Sequence, residues 1–142
     1  MMQMQTFVLP RALLASVAAA LLAGCAAVGP ASSSPEETVQ DRANARWAAL
    51  LKGDSAKAYG YLTPGYRAVH DEATYRKRRG SAVKWTGAEV VDVRCPEATK
   101  CLAKVRIEAK PFLGRKFGDT IVTHVEETWL LEDGRWWLFE RL

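Results

Sequence analysis

Thr128–Leu138 reads Thr-Trp-Leu-Leu-Glu-Asp-Gly-Arg-Trp-Trp-Leu, two apolar runs on either side of Asp133-Gly134. An Asp-Gly pair between such runs marks a two-residue hairpin turn, because both residues tolerate the positive φ that the turn demands. Upstream, Ile121, Thr123, Val125, Glu127, Trp129 and Leu131 share one parity of a long strand. Downstream, Trp136-Trp137-Leu138-Phe139 is apolar on both faces, which predicts a strand that is central or covered on both sides. The same alternation runs backwards through the chain. Cys101, Ala103, Val105, Ile107 and Ala109 define one strand, Val91, Val93 and Cys95 another, and Val83 with Trp85 open the strand region after Ser81. The C-terminal part therefore reads as an antiparallel meander.

Before Ser81 the period is that of helices. Ser34-Pro35-Glu36-Glu37 is a helix start, with a capping serine, a proline at the first helical position and Glu37 completing a capping box. Val39, Ala43, Trp47, Leu50 and Leu51 follow as one apolar face, and Gly53 ends the helix. Asp54 caps a second helix with Tyr59 and Leu62 inward, which Thr63-Pro64-Gly65 breaks. A third short helix is predicted from Asp71 to Arg79, with Tyr75 inward. Helices first and strands afterwards give an α+β fold, with the N-terminal helices packed on one face of the antiparallel sheet.

This order resembles the nuclear-transport-factor-two-like superfold. The resemblance rests on the N-terminal helices, the Leu-Thr-Pro-Gly-Tyr segment Leu62–Tyr66 and the Thr128–Leu138 hairpin. It implies a cone-shaped, cystatin-like domain with a curved sheet, the architecture of ketosteroid isomerase, scytalone dehydratase, polyketide cyclases and many small exported lipoproteins. A fold of that breadth hosts enzymes, binders and assembly modules alike.

The N-terminus carries a second resemblance. Arg11 precedes Ala12–Ala23, a run of apolar and small residues interrupted only by Ser16, and the run closes on Leu22-Ala23-Gly24-Cys25. Twelve such residues are too few to span a bilayer, which needs about 20, but they fit the hydrophobic core of a secretory signal. The closing tetrad resembles a bacterial lipobox. That implies removal of residues 1–24, acylation of Cys25, and a lipid anchor holding the chain to a membrane. Ala26, rather than Asp, after the cysteine implies the outer membrane, facing the periplasm. Residues 25–34 would then form the lipidated cysteine and a tether of small residues, and 35–142 a single domain.

Without residues 1–24 the chain keeps 19 of its 20 basic residues and all 16 acidic ones, a net charge of +3. So mild an excess argues against a nucleic-acid partner. With Cys25 as the anchor, Cys95 and Cys101 remain as an even pair outside the cytosol, where a disulfide is expected across the turn Pro96–Lys100. The spacing is not Cys-x-x-Cys, no ligand cluster accompanies it, and no cofactor is implied.

In the resembled family the sheet and helices enclose a pocket, and Tyr59, Tyr66, Trp85, His124, Glu127 and Trp129 are the residues here that could line it. Glu127 is the most informative, since a carboxylate on an otherwise apolar face must be paired or carry a raised pKa. It could serve as a general base or hold a cationic ligand. A bulge that flips the register, or a strand face that is simply exposed, would explain it equally well. His124 has the opposite parity and is expected to face solvent, and His70 to sit on an exposed loop. Neither has the spacing of a metal ligand. No Gly-x-Ser-x-Gly and no phosphate-cradling Gly-rich loop occurs. The run Arg76-Lys77-Arg78-Arg79 could attract anionic lipid, or could simply complement a helix dipole. Leu113–Gly118, with Phe117 between basic residues, is a candidate lip over the pocket.

No catalytic set of the family's enzymes can be placed on matching positions. The expectation is thus a membrane-anchored, non-enzymatic module that binds a small apolar ligand or takes part in envelope assembly. A homodimer through the open sheet face, or an envelope protein partner, fits the same reading. The alternative is a small isomerase, dehydratase or hydrolase with Glu127 as base and Tyr59 or Tyr66 as hydrogen-bond donor.

Overall fold

Ser34 opens the first helix as its sequence dictates. Its side chain accepts from the Glu37 backbone N–H at 3.1 Å, while the Glu37 carboxylate accepts from the Ser34 N–H at 3.0 Å. In the computed structural model, which describes residues 33–79, 83–111 and 120–141, helix α1 spans Pro35–Leu51. The expected signal segment 1–24, Cys25, most of the tether and the Leu113–Gly118 turn lie outside the described residues. Gly53, at φ +77°, ends α1 in a Schellman motif: its N–H donates to Leu50 O at 3.0 Å and the Asp54 N–H to Ala49 O at 2.9 Å. The buried face carries Val39, Ala43, Arg46, Trp47 and Ala49. Leu51, expected inward, is 37% exposed, and Arg46 is the unexpected member of the core.

Three short helices follow. Asp54 caps α2 (Ser55–Tyr59), accepting from Lys57 N, and Asp71 caps α4 (Glu72–Arg79), accepting from Thr74 N. Hydrogen bonds from the Thr74 side chain and backbone hold the Asp71 carboxyl below its ordinary pKa. Between them, Thr63-Pro64-Gly65 does more than break a helix. Thr63 accepts from Tyr66 N at 3.3 Å and Pro64 takes the first helical position, so the same residues start α3 (Pro64–Val69).

The sheet is antiparallel in the order β1 (Val83–Glu97), β2 (Lys100–Pro111), β3 (Ile121–Glu132), β4 (Arg135–Phe139). Asp133 and Gly134 both adopt positive φ, 50° and 72°, as the hairpin turn requires. Register breaks interrupt β1 between Trp85 and Gly87, Val90 and Asp92, and Arg94 and Glu97. The middle one corrects the expected parity. Val90 is buried and Val91 is 44% exposed, because the extra residue turns Val90 and Val93 to one face. A bulge leaves a backbone donor without its ladder partner, and Asn44 on α1 accepts from Val90 N at 3.3 Å. Strand β4 is not central. It lies at the end of the order, where Leu62 bridges it: Leu138 N donates to Tyr61 O at 2.8 Å and Thr63 N to Leu138 O at 3.1 Å.

The core lies between α1 and the inner sheet face, where Val39, Ala43 and Trp47 meet Val105, Trp129 and Leu138. Cys95 and Cys101 form the expected disulfide across the β1–β2 turn. Replacing both by Ala should lower stability by about 2 kcal/mol, and the intact bridge should show as a mass deficit of about two daltons. Denaturant unfolding of the double variant checks this. An unshifted midpoint would show that the ladder alone holds the hairpin.

Candidate functional site

Glu127 is buried on the inner face of β3, opposite Ala103 of β2. The small alanine leaves room, and α1 fills it with donors. Arg46 Nη1 donates to Glu127 Oε1 at 2.6 Å, and the Trp47 indole N–H donates to the same oxygen at 2.8 Å. The Trp129 indole N–H donates to Oε2 at 3.2 Å. A carboxylate taken out of water costs several kcal/mol unless its acceptors are met, and here both oxygens are.

The guanidinium of Arg46, itself 1% exposed, extends the network. It sits 5.4 Å from the Trp47 ring, and its Nη2 donates to the Tyr75 hydroxyl at 3.4 Å and lies 3.9 Å from Glu140 Oε1. Arg79, the last residue of α4, reaches the same two groups. Its Nη1 donates to the Tyr75 hydroxyl at 2.9 Å and is 3.9 Å from Glu140 Oε1, and its guanidinium is 4.9 Å from the Trp85 ring. Burial, and then the charge of Arg46, pulls the Arg79 pKa below the usual guanidinium value, against the opposing pull of Tyr75 and Glu140. Two arginines face two glutamates, so this end of the site is charge-balanced.

Beyond the charged end the inner face turns apolar and, among the described residues, more exposed. On β3, Glu127 and Trp129 are buried, whereas Ile121, Thr123 and Val125 of the same parity are exposed. With Trp85, Ile107 and Ala109 they form one wall of a cleft of about 410 Å³, closed at the other end by Arg46, Trp47, Arg79, Glu127 and Glu140. The arrangement suits a ligand with an apolar body and a polar end. Among the described residues, no group of three or more His, Cys, Asp or Glu side chains is placed to hold a metal ion.

Of the residues picked out from sequence, Trp85 and Glu127 meet at this cleft. Tyr59, Tyr66 and Trp129 do not line it. Tyr59 donates its hydroxyl proton to backbone carbonyls, His70 O at 2.7 Å and Arg67 O at 3.2 Å, tying α2 to α3. Tyr66 is buried against His70 and Tyr75, and Trp129 packs on Tyr61 in the core. Glu127 therefore has neither Tyr59 nor Tyr66 beside it, and Tyr75 is the hydroxyl that faces the ion pair. His124 is exposed on the outer face. His70 is half-buried rather than exposed, its ring 4.9 Å from that of Tyr66. The basic run splits: Arg76 pairs with Glu72 on its own helix, while Arg79 turns inward.

The sequence reading does not single out Arg46 or Glu140, and it takes Arg79 only as part of an exposed basic run. Arg46 had a usable signal, since it lies three residues after Ala43 and seven after Val39, on the buried face of α1. A lone inward carboxylate on β3 calls for such a cation.

Fold and site together define an α+β domain with helices on one sheet face and a lateral, half-covered cleft. The fold is similar to that of a SEC-C motif containing protein from Rhodopseudomonas palustris, solved in solution: 17% identity, TM-score 0.54, with 75% of this chain and 76% of that chain covered. At that identity the likeness is one of fold alone. No family model matches the chain, and no curated protein matches it in sequence.

The ion pair is expected to behave as a strut. Arg46→Met should cost about 3–5 kcal/mol by leaving Glu127 buried and unpaired, and the double variant Arg46→Met/Glu127→Leu should recover most of that loss. Urea unfolding of the single and double variants decides it. A double-variant loss equal to the sum of the Arg46→Met and Glu127→Leu losses would mean that the two side chains act independently.

Proposed function

We propose that this chain is a bacterial envelope lipoprotein, anchored through Cys25 in the outer membrane and facing the periplasm. Its domain is of the nuclear-transport-factor-two-like kind and works without catalysis, by holding a small ligand with an apolar body. The observation that carries the reading is the exposed run Ile121, Thr123 and Val125 on the inner sheet face, beside Trp85 and Ile107. An apolar concave wall left open to water is what a binding cleft requires.

Two further observations support it. The tetrad Leu22–Cys25 has the lipobox pattern, and the Cys95–Cys101 disulfide suits an oxidising compartment. Among the described residues no helix is long and apolar enough to cross a membrane. An enzymatic role for Glu127 is not favoured. Its oxygens already accept three hydrogen bonds, and the arrangement braces α1 against β3.

Two measurements test the proposal. Labelled palmitate should enter the wild-type protein in a bacterial host and not the Cys25→Ser variant; equal labelling of both would remove the anchor. Native mass spectrometry of the full chain from detergent should show extra mass that is lost on denaturation. Val125→Glu, at the exposed cleft wall, should abolish that extra mass. A bare protein mass in the wild type would argue for envelope assembly through protein contacts instead, and the same spectrum distinguishes monomer from homodimer.

A further inference from the structure

Trp137 of β4 lies at a second place where the fold collects charge, and there the charge is not balanced. Three guanidiniums surround its indole: Arg135 at 4.7 Å from the ring centroid, Arg67 at 5.1 Å and Arg42 at 5.7 Å. They come from β4, α3 and α1, so tertiary folding assembles the cluster and no local charge run does. Among the described residues, no carboxylate oxygen lies within 4.0 Å of any of the three. The contrast with the cleft is direct, because Arg46 and Arg79 there share Glu127 and Glu140.

Stacking explains how the cluster is held. Arg42 also lies 5.0 Å from the Tyr61 ring and 6.0 Å from that of Trp129, and its buried Nε and Nη2 have no hydrogen-bond partner. Arg67 spends its Nε on Leu62 O at 3.2 Å. Aromatic faces attract cations but do not cancel their mutual repulsion. Burial, and then the charge of Arg135, lowers the Arg42 pKa, against the opposing pull of Tyr61. Arg135 is exposed and Arg42 and Arg67 are half-buried, so the cluster is within reach of solvent.

An external anion would supply the counter-charge that no described carboxylate places within 4.0 Å, and the donors select its class. Three guanidiniums from three elements, gathered around one ring, match an anion whose acceptor oxygens do not lie in one plane. A phosphate group, as the free ion or in a lipid headgroup, arranges its oxygens tetrahedrally, whereas the two oxygens of a carboxylate lie in one plane. We propose that Arg42, Arg67 and Arg135, gathered around Trp137, form a binding site for a phosphate group, whether the free ion or the headgroup of an anionic lipid. The site is separate from the cleft and does not depend on what the cleft binds.

Trp137 is its own reporter. The full chain in dodecyl maltoside micelles is titrated with inorganic phosphate at constant ionic strength, with chloride as the control. Its fluorescence is also compared in nanodiscs of phosphatidylcholine alone and with phosphatidylglycerol added. A saturable phosphate response that Trp137→Phe removes, and that Arg135→Gln weakens about tenfold as expected for one charge-assisted contact, supports the free ion. A change seen only in the phosphatidylglycerol discs, and lost in Arg135→Gln, supports the lipid headgroup. No response to either probe, or responses that Arg135→Gln and Arg67→Gln leave unchanged, overturns the proposal. Arg135 is exposed beside the hairpin turn, so its variant should keep the wild-type circular dichroism spectrum, which separates lost binding from lost fold.

Discussion

A carboxylate buried beneath a helix is tolerated only when donors reach its oxygens, and the donors that reach Glu127 fix how the helices sit on the sheet. Arg46 and Trp47 come from adjacent positions on α1, and Trp129 from the same strand two residues on. The helix, whose backbone packs mainly on β1, must therefore present one particular turn towards Glu127. Arg46 then ties in α4 through Tyr75. Replacing the whole network by well-packed apolar groups could give an equally stable core, since desolvation offsets much of the Coulombic gain. What the polar contacts supply is register, because an apolar side chain slides over its neighbours at little cost whereas an ion pair at 2.6 Å does not.

The cleft follows from that placement. With α1 committed to the region around Glu127 and Trp129, the earlier residues of β3 have no helix above them among the described residues. Ile121, Thr123 and Val125 stay open on a face whose neighbours Ile107 and Ala109 are buried. At the charged end Arg46 and Arg79 face Glu127 and Glu140, and Glu126 beside them pairs with Arg94, so that end favours polar contact without attracting strong charge of either sign. Around Trp137 positive charge gathers instead, and among the described residues no carboxylate oxygen lies within 4.0 Å of Arg42, Arg67 or Arg135.

Much of this was legible beforehand. The capping box at Ser34, the stop at Gly53 and the Asp133-Gly134 turn each depend on residues within a few positions of one another, and each is found where local chemistry puts it. Strand β2 alternates without interruption, so Cys101, Ala103, Val105, Ile107 and Ala109 are all buried as read. Strand β1 was less legible, because a bulge is an extra residue with no signature of its own and moved burial from Val91 to Val90. The site was half legible. Glu127 betrays itself as a carboxylate among apolar residues, but its partners lie about 80 residues away on another element.

The sequence by itself determined the α+β class, the starts of α1, α2 and α4, the stop at Gly53, the Asp133-Gly134 turn, the cysteine pair and the strand parity of Glu127. All of these rest on short-range stereochemistry or on strand parity. Only the tertiary structure decided that Glu127 is matched by Arg46 and two indoles, that Tyr59 and Tyr66 brace helices rather than line the cleft, and that three arginines share Trp137. Those outcomes depend on which residues from separate elements come within a few ångströms of one another, and that distance is set by packing rather than by position along the chain.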